Sequence, residues 1–432
     1  MLFAASAFSY GDRVALSIAG VSISRDLHLN ALRLGYLFSG FSWAYVAGQL
    51  PAGGLLDRYG SKRVYGTSIV LWSLCALLVG FAGYLPAAIA FSVIFGLRLL
   101  SGLAQSPVFP GNGRIVASWF PTAERGTASA IFNSSQYFAL VLFGPIMGWI
   151  VHISGWKQCF WFLGALGFVL VYLWSKVIHG VKDHPRINQA EIDFIEQGGG
   201  LTNIDFRAGK AQKPANRLTW SAVKMLLSNR MLVGIYLGQY CITTLTWFFL
   251  TWFPVYLYEA RHMSIVKVGI MAALPALCGS IGGILGGVVS DKLLRMGHSL
   301  TFARKVPIVS GMLLAVTMLG CNYTNTQWLV MVLLSFAFFG KGFGALGWTV
   351  IADTSPKPLI GINGGLFNLI GNLAGVTTPI VIGYIVKRTG SFNDALIFVA
   401  ATAVMAIVAY LPIVGEIKRV DFDLPEPSGG AA

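Results

Sequence analysis

Apolar stretches of about twenty residues recur along the whole of this 432-residue chain, and they constrain its fold more than any other feature. An α-helix needs a run of about that length to cross the hydrocarbon core of a bilayer. Hydrophobic residues make up 55% of the chain and charged residues only 11%, whereas soluble domains carry about 25% charged residues. The sequence therefore predicts an all-α polytopic membrane protein and excludes a soluble globular domain.

We place twelve transmembrane helices at residues 2–24, 32–56, 64–83, 86–108, 126–152, 156–178, 229–258, 266–290, 305–322, 327–352, 359–386 and 391–414. With both termini in the cytoplasm, about 21 of the 31 Lys and Arg residues fall in cytoplasmic segments, 7 outside, and three within spans (Arg13, Arg98 and Lys341). This asymmetry follows the positive-inside rule. It explains the net charge of +14 without a nucleic-acid partner.

A long polar stretch divides the spans into six and six. We expect a six-helix half at 1–180, a cytoplasmic linker at 181–228, a second six-helix half at 229–415 and a cytoplasmic tail at 416–432. In the linker, Asn188 followed by Glu191 is a capping-box pattern that predicts the start of a short amphipathic helix. Only nine residues precede Tyr10, so we expect a truncated or misassigned start.

The first span contains an acid and a base side by side, in Ser9-Tyr10-Gly11-Asp12-Arg13. A charge at the bilayer centre costs about 2.5–3.5 kcal/mol on insertion scales, so it is kept where it faces a cavity, a partner or an ion path. Tyr10 and Arg13 lie about 60° apart in helical projection, whereas Asp12 points about 100° away from Arg13, toward span four. A site for a polar substrate and a structural Asp12–Arg13 pair are both open at this point.

Both halves carry a similar glycine-rich, charged loop. Gly-Gly-Leu-Leu-Asp57-Arg58 follows span two, and Gly-Gly-Val-Val-Ser-Asp291-Lys292 follows span eight. Internal duplication is typical of transporters, whose substrate site lies near the bilayer midplane between the repeats. We expect each aspartate to accept hydrogen bonds from backbone N–H groups at a neighbouring helix N-terminus, and Arg58 and Lys292 to reach lipid headgroups. Such charged loops could stabilise one state of a transport cycle.

These loops resemble the signature of the major facilitator superfamily. Arg98–Gly102 in span four is similar to a second motif of that superfamily. Other segments in the first half resemble its anion:cation symporter family of sugar-acid carriers: Tyr10–Arg13, Pro107–Pro121 and Glu124–Asn133. Segments in the second half resemble the glucarate/galactarate permeases: Leu237–Tyr240, Phe248–Tyr256, Phe339–Trp348 and Val414–Arg419. The likeness covers essentially the whole chain.

This resemblance implies twelve helices in two pseudo-symmetric six-helix halves in the bacterial inner membrane. It implies import of a sugar-acid anion of the glucarate or galactarate type in symport with protons, by alternating access. We expect a monomer that needs no cofactor, metal or nucleic acid. A monocarboxylate carrier for galactonate or a hexuronate, a membrane-embedded enzyme and a transport-inactive sensor are the competing functions, and we expect no enzyme because no catalytic set of residues is found.

The resemblance also implies roles for single residues. Arg13 would bind the substrate carboxylate, since a guanidinium offers two parallel donors, and Asp12 would carry a proton. Four further residues match substrate-contact positions of the family: Tyr45, Gln136, Trp348 and Asn368. Apart from the resemblance, we also expect Tyr10, Lys341 and Asn372 to contact the substrate. The two asparagines could instead bond across helices, and Trp348 could be a core residue.

Span four departs from the family pattern at Gln105, where the family usually carries a glutamate that is expected to carry a coupling proton. Glutamine has a similar shape but does not titrate near neutral pH. Proton coupling is then altered by natural divergence, or an engineered Glu→Gln change locks the chain toward one state; the sequence leaves both open. We interpret Arg98, also in span four, as structural.

Lys341 lies inside apolar span ten, seven residues before Trp348. On a continuous helix the two side chains would share a face within about 20°. An aldarate has a carboxylate at each end, so Arg13 and Lys341 could bind one end each. The alternative is a lysine that faces a water-filled vestibule or pairs structurally.

Overall fold

A computed structural model of the chain describes residues 1–203, 220–356 and 359–420. This part of the chain is helical and contains no strand. Ten of its helical segments are long and apolar enough to cross a membrane. Two further helices, the first two of the chain, correspond to the remaining two of the twelve predicted spans. The first is less apolar because it runs through the bundle and buries polar groups, including Asp12 and Arg13.

The first six spans follow the predicted bounds closely. They are α1 (Leu2–Asp26), α2 (Ala31–Tyr59), α3 (Ser61–Ala82), the consecutive pair α4 (Ala87–Gln105) and α5 (Val108–Trp119), α6 (Arg125–Ser154) and α7 (Trp156–Val177). Span four is longer than predicted because α5 continues it beyond Pro107 to Trp119.

The linker contributes two short helices, α8 (Gln189–Gln197) and α9 (Trp220–Ser228). The first is the predicted one, and the Asn188 side chain caps it by accepting a hydrogen bond from the Glu191 N–H at 2.8 Å. The second was not predicted. The linker between them, at 204–219, and the tail beyond 420 lie outside the described residues.

The α8 region packs on the first half through Arg125, whose Nη2 donates to the Gly199 carbonyl at 2.6 Å. Close to this contact, Glu196 accepts hydrogen bonds from the Thr202 hydroxyl and from Lys182. These two donors, Thr202 first, lower the pKa of the Glu196 carboxyl.

The second six spans are more irregular than the first. Their pieces are α10 (Arg230–Trp247) with a π-turn (Phe248–Trp252) and α11 (Phe253–Glu259); α12 (Ile265–Met271) and α13 (Ala273–Arg295); α14 (Leu300–Ala315) with a 3₁₀ turn (Val316–Tyr323); α15 (Gln327–Phe343) and α16 (Gly347–Thr354); α17 (Ile360–Thr389); and α18 (Asn393–Val408) with a π-turn (Ala409–Ile413). Proline explains two of these breaks, because Pro254 and Pro412 cannot donate the i→i−4 hydrogen bond.

Connections between spans alternate between two ends of the bundle. We call the end with the termini and the linker the proximal end, and the end where α1 joins α2 and α6 joins α7 the distal end. The two halves meet closely at the distal end. A Cβ on Gly144 of α6 would lie 2.8 Å from the Gly269 carbonyl oxygen of α12, and one on Gly383 of α17 would lie 2.6 Å from the Ala31 carbonyl oxygen of α2.

The same helices separate toward the proximal end. A Cβ on Gly53 or Gly54 of α2, or on Gly361 or Gly365 of α17, would meet nothing within 4 Å. Between these positions and the distal contacts, Asn368 of α17 donates a hydrogen bond to Gln49 of α2. The structure is therefore closed at the distal end and open at the proximal end.

Candidate functional site

Arg13 lies in a cage of aromatic rings between the halves. Its Cζ is 4.7 Å from the ring centroid of Tyr10, 4.3 Å from that of Phe41, 5.4 Å from that of Tyr45 and 6.0 Å from that of Trp247. These rings come from α1, α2 and α10. The faces of aromatic rings stabilise a desolvated guanidinium without neutralising it.

No carboxylate within the described part of the chain forms an ion pair with Arg13. The side chain is 8% exposed, and its Nε has no hydrogen-bond partner there. The structural Asp12–Arg13 pair left open by the sequence is not formed. A buried guanidinium that has no carboxylate partner can bind one through two parallel hydrogen bonds.

Asp12 pairs instead with Arg98 of α4. The Arg98 Nη1 donates to Asp12 Oδ2 at 2.7 Å, and both side chains are almost fully buried. Asp12 thus points toward span four, in the direction expected from helical projection. Removal of either partner would leave the other as an uncompensated buried charge.

Gln105 completes this group, which we call the Asp12 cluster (Ser9, Asp12, Arg98, Ser101 and Gln105). The Gln105 Nε2 donates to Asp12 Oδ2 at 3.3 Å and to Ser101 Oγ at 3.2 Å, and its Oε1 accepts from the Ser9 hydroxyl at 2.6 Å. The glutamine therefore supplies a donor to Asp12. A protonated glutamate could do the same, whereas an ionised one would repel Asp12.

Amide side chains connect the halves beside the aromatic cage. Asn368 Nδ2 donates to Gln49 Oε1 at 3.1 Å, and Asn372 Nδ2 donates to Asn368 Oδ1 at 3.0 Å. The buried Gln49 Nε2 has no partner in the described chain. Sequence reasoning missed Gln49, although its position one helical turn after Tyr45 was a usable signal.

Gln136 and Trp348 are placed differently from each other. Gln136 is half-buried on α6, and its amide makes no hydrogen bond within the described residues. Trp348 is 55% exposed, and its ring packs 5.0 Å from that of Phe367 on α17. The prediction that Trp348 shares a helix face with Lys341 was wrong, because residues 344–346 interrupt the helix between them.

Lys341 lies in the last turn of α15 and is 6% exposed. Its Nζ is 5.2 Å from the ring centroid of Phe338 and 5.7 Å from that of Tyr137 on α6. Within the described chain it makes neither an ion pair nor a hydrogen bond. Lys341 therefore resembles Arg13: a buried cation beside aromatic rings and without a counter-ion.

At the proximal end, the aspartate of each repeated loop pairs with an arginine of its own half. Asp57 Oδ1 accepts from Arg114 Nη1 of α5. In the second half, Arg304 of α14 contacts Asp291 at 3.4 Å and Asp353 at 2.8 Å. Within the described residues, charged side chains bind both aspartates, where backbone N–H groups were expected.

Arg58 and Lys292, the basic residues of these loops, are exposed. The Arg58 guanidinium lies 5.3 Å from the centroid of the neighbouring Tyr59 ring. Neither residue forms an ion pair in the part of the chain that the structure describes. Both positions suit contact with headgroups or solvent.

The family model described as Major Facilitator Superfamily matches residues 2–379. The probable galactarate/D-glucarate transporter GudP of Bacillus subtilis (strain 168) is 57% identical over 420 residues, covering 97% of this chain and 92% of that protein. The probable galactarate/D-glucarate transporter GudP of Escherichia coli (strain K12) is 54% identical over 421 residues, covering 98% and 93%.

Among solved structures, that of a D-xylose–proton symporter superposes with a TM-score of 0.73 at 15% identity, covering 96% of this chain and 97% of that one. This likeness confirms the predicted fold class of twelve helices in two six-helix halves. The sequence relatives are named transporters, which confirms that the chain is not an enzyme.

Proposed function

The chain belongs to the major facilitator superfamily, and from that premise we propose that it imports a sugar-acid anion of the glucarate or galactarate type in symport with protons. The observation that carries the proposal is Arg13, a buried guanidinium that lies between the halves and has no carboxylate partner among the described residues. Relatives at 54–57% identity are named galactarate/D-glucarate transporters, which supports this class of substrate.

The protein works as a monomer in the bacterial inner membrane, with both termini in the cytoplasm as the distribution of Lys and Arg favours. The halves at 1–180 and 229–415 rock about the central site, and the linker at 181–228 joins them in the cytoplasm. In this orientation the open proximal end faces the cytoplasm. The ion pairs of Asp57 and Asp291 stiffen the cytoplasmic ends of the two halves.

Arg13 binds one substrate carboxylate. Tyr10 and Tyr45 form the walls around this carboxylate and present hydroxyl groups to it. The amides of Gln136, Asn368 and Asn372 both donate and accept, as sugar hydroxyls require. Trp348, half-exposed on the proximal side, lies where the substrate leaves.

Proton coupling involves the Asp12 cluster. Protonation of Asp12 removes the charge that holds Arg98, which frees the Arg98 guanidinium to move. Arg98 and Arg13 both lie against the Phe41 ring, at 5.5 Å and 4.3 Å from its centroid. Phe41 therefore transmits a shift of one guanidinium to the other, and the substrate site responds to the protonation of Asp12.

Counterflow in proteoliposomes tests the proposal. Vesicles loaded with unlabelled glucarate are expected to accumulate labelled glucarate in the absence of a proton gradient, because exchange needs no net driving force. Galactonate and glucose serve as a monocarboxylate and a neutral competitor. If folded protein exchanges no sugar acid, the proposed function is wrong.

A further inference from the structure

The described part of the chain contains four buried cationic side chains, and they fall into two classes. Arg98 and Arg304 each form an ion pair with an aspartate. Arg13 and Lys341 have no carboxylate partner there. Burying a cation without a counter-ion costs free energy, and such residues in membrane spans usually have a function. The protein has two of them in its described part, one in each half.

The packing of α15 directs Lys341 toward the first half. On one side of it, Gly340 lies against the backbone of Gly311 in α14; on the other, Gly342 lies against the backbone of Gly279 in α13. Because consecutive helix residues are about 100° apart, the residue between these two contacts faces away from both neighbours. Lys341 thus reaches Tyr137 of α6, across the boundary between the halves.

The position of Lys341 in the last turn of its helix also suits a cationic side chain. The carboxyl end of a helix carries a partial negative charge, which favours a cation in the last turn. This stabilisation leaves the donors of the ammonium group free, since no described residue accepts from them. The site is therefore suited to an anion that comes from outside the chain.

Each unpaired cation lies beside a tyrosine ring of the first half. Tyr10 contacts Arg13 with its ring, and Tyr137 contacts Lys341. Arg13 belongs to the first half and Lys341 to the second, so an anion held between the halves would meet a buried cation from each of them.

We propose that Lys341 binds the second carboxylate of the substrate, so that Arg13 and Lys341 together select sugar acids with a carboxylate at each end. This inference rests on the proposed function. A dicarboxylate neutralises both buried cations and bridges the halves, whereas a monocarboxylate leaves one cation desolvated and unpaired. Lys341 is thus a specificity-determining residue.

The test compares Lys341→Gln with the parent protein in counterflow and equilibrium binding, using glucarate and galactonate. Loss of one charged hydrogen-bonding partner is expected to weaken glucarate binding about 10- to 100-fold. Galactonate binding should change less than about threefold, since that acid needs only Arg13. Lys341→Arg restores glucarate binding in part. Lys267→Gln, which removes an exposed lysine at the distal end, is the matched control and should change neither substrate.

Equal losses for both acids, or no loss for either, would overturn the role of Lys341 while leaving the proposed function intact. Failure of the parent protein to exchange either acid would overturn both. If Lys341→Gln does not fold, the parent protein gives the answer through competition by glucarate and by its monoamide. Glucarate should compete about 10- to 100-fold better; equal competition would contradict the inference.

Discussion

The Phe41 ring lies beside both buried arginines of the first half. Its centroid is 4.3 Å from the Cζ of Arg13, which has no counter-ion in the described chain, and 5.5 Å from that of Arg98, which is paired with Asp12. Helical projection predicted that Asp12 faces span four. It could not identify Arg98 as the partner, because that ion pair joins residues 86 positions apart and depends on how two helices pack.

Substitution of Arg13 tests the carboxylate site. Arg13→Gln removes the cation and is expected to weaken glucarate binding at least about 10-fold, as for other hydrogen bonds to charged groups. Arg13→Lys keeps the charge but loses the two parallel donors, so its affinity should be intermediate. Isothermal titration of the purified variants measures this. Arg25→Gln, near the distal end of the same helix, is the control; unchanged affinity of Arg13→Gln would refute the assignment.

Gln105→Glu tests the Asp12 cluster. At low pH a protonated glutamate can donate to Asp12 as Gln105 does, but two ionised carboxylates repel each other. The variant should therefore lose thermal stability relative to the parent as the pH rises, and its uptake should become more dependent on a proton gradient. Thermal unfolding between pH 5 and 8 and uptake with and without a gradient measure these effects. Identical pH profiles for both proteins would show that coupling does not involve this position.

Among the elements, the spans were predictable and their interruptions were not. Apolar length determines where a helix crosses a membrane, and α17 (Ile360–Thr389) lies within three residues of its predicted bounds at each end. The break at 344–346 depends on glycines that pack against neighbouring helices, which hydropathy does not detect. Because this break was not predicted, Trp348 and Lys341 were placed on one face of a continuous helix.

The α6–α12 contact at the distal end should tolerate no added side chain. In Gly269→Leu, the new Cβ would lie 2.6 Å from the Gly144 carbonyl oxygen. Overpacking of this kind typically costs about 1–3 kcal/mol, so the thermal midpoint should fall or the distal end should open. Gly287→Leu, where a Cβ meets nothing within 4 Å, is the matched control. Equal midpoints and equal distal accessibility for both variants would contradict this packing.

At the scale of the whole molecule, the structure is in a state closed at the distal end. The sequence predicted two halves but not this state, because the state depends on a small free-energy difference between two packings of the same helices. Contacts such as those of Ser42 with Gly375 keep the distal side of α2 and α17 together.

Thiol labelling measures which end is open. The five native cysteines are first replaced. Because the state open at the distal end should be populated to about 10% or less, Gly365→Cys should react at least about 10-fold faster than Ser42→Cys with a membrane-impermeant reagent. Labelling of Gly365→Cys should occur in inverted vesicles, where the cytoplasmic face is outside. Faster labelling of Ser42→Cys, or of Gly365→Cys only in right-side-out vesicles, would refute the assigned state or orientation.

The central claim is that a buried, unpaired Arg13 receives a carboxylate of the transported anion. A structure of the protein bound to glucarate tests it most directly. We predict one carboxylate on the Arg13 guanidinium, between the halves, with N–O distances of about 2.7–2.9 Å. Glucarate bound elsewhere, with its carboxylates away from Arg13, would contradict the account.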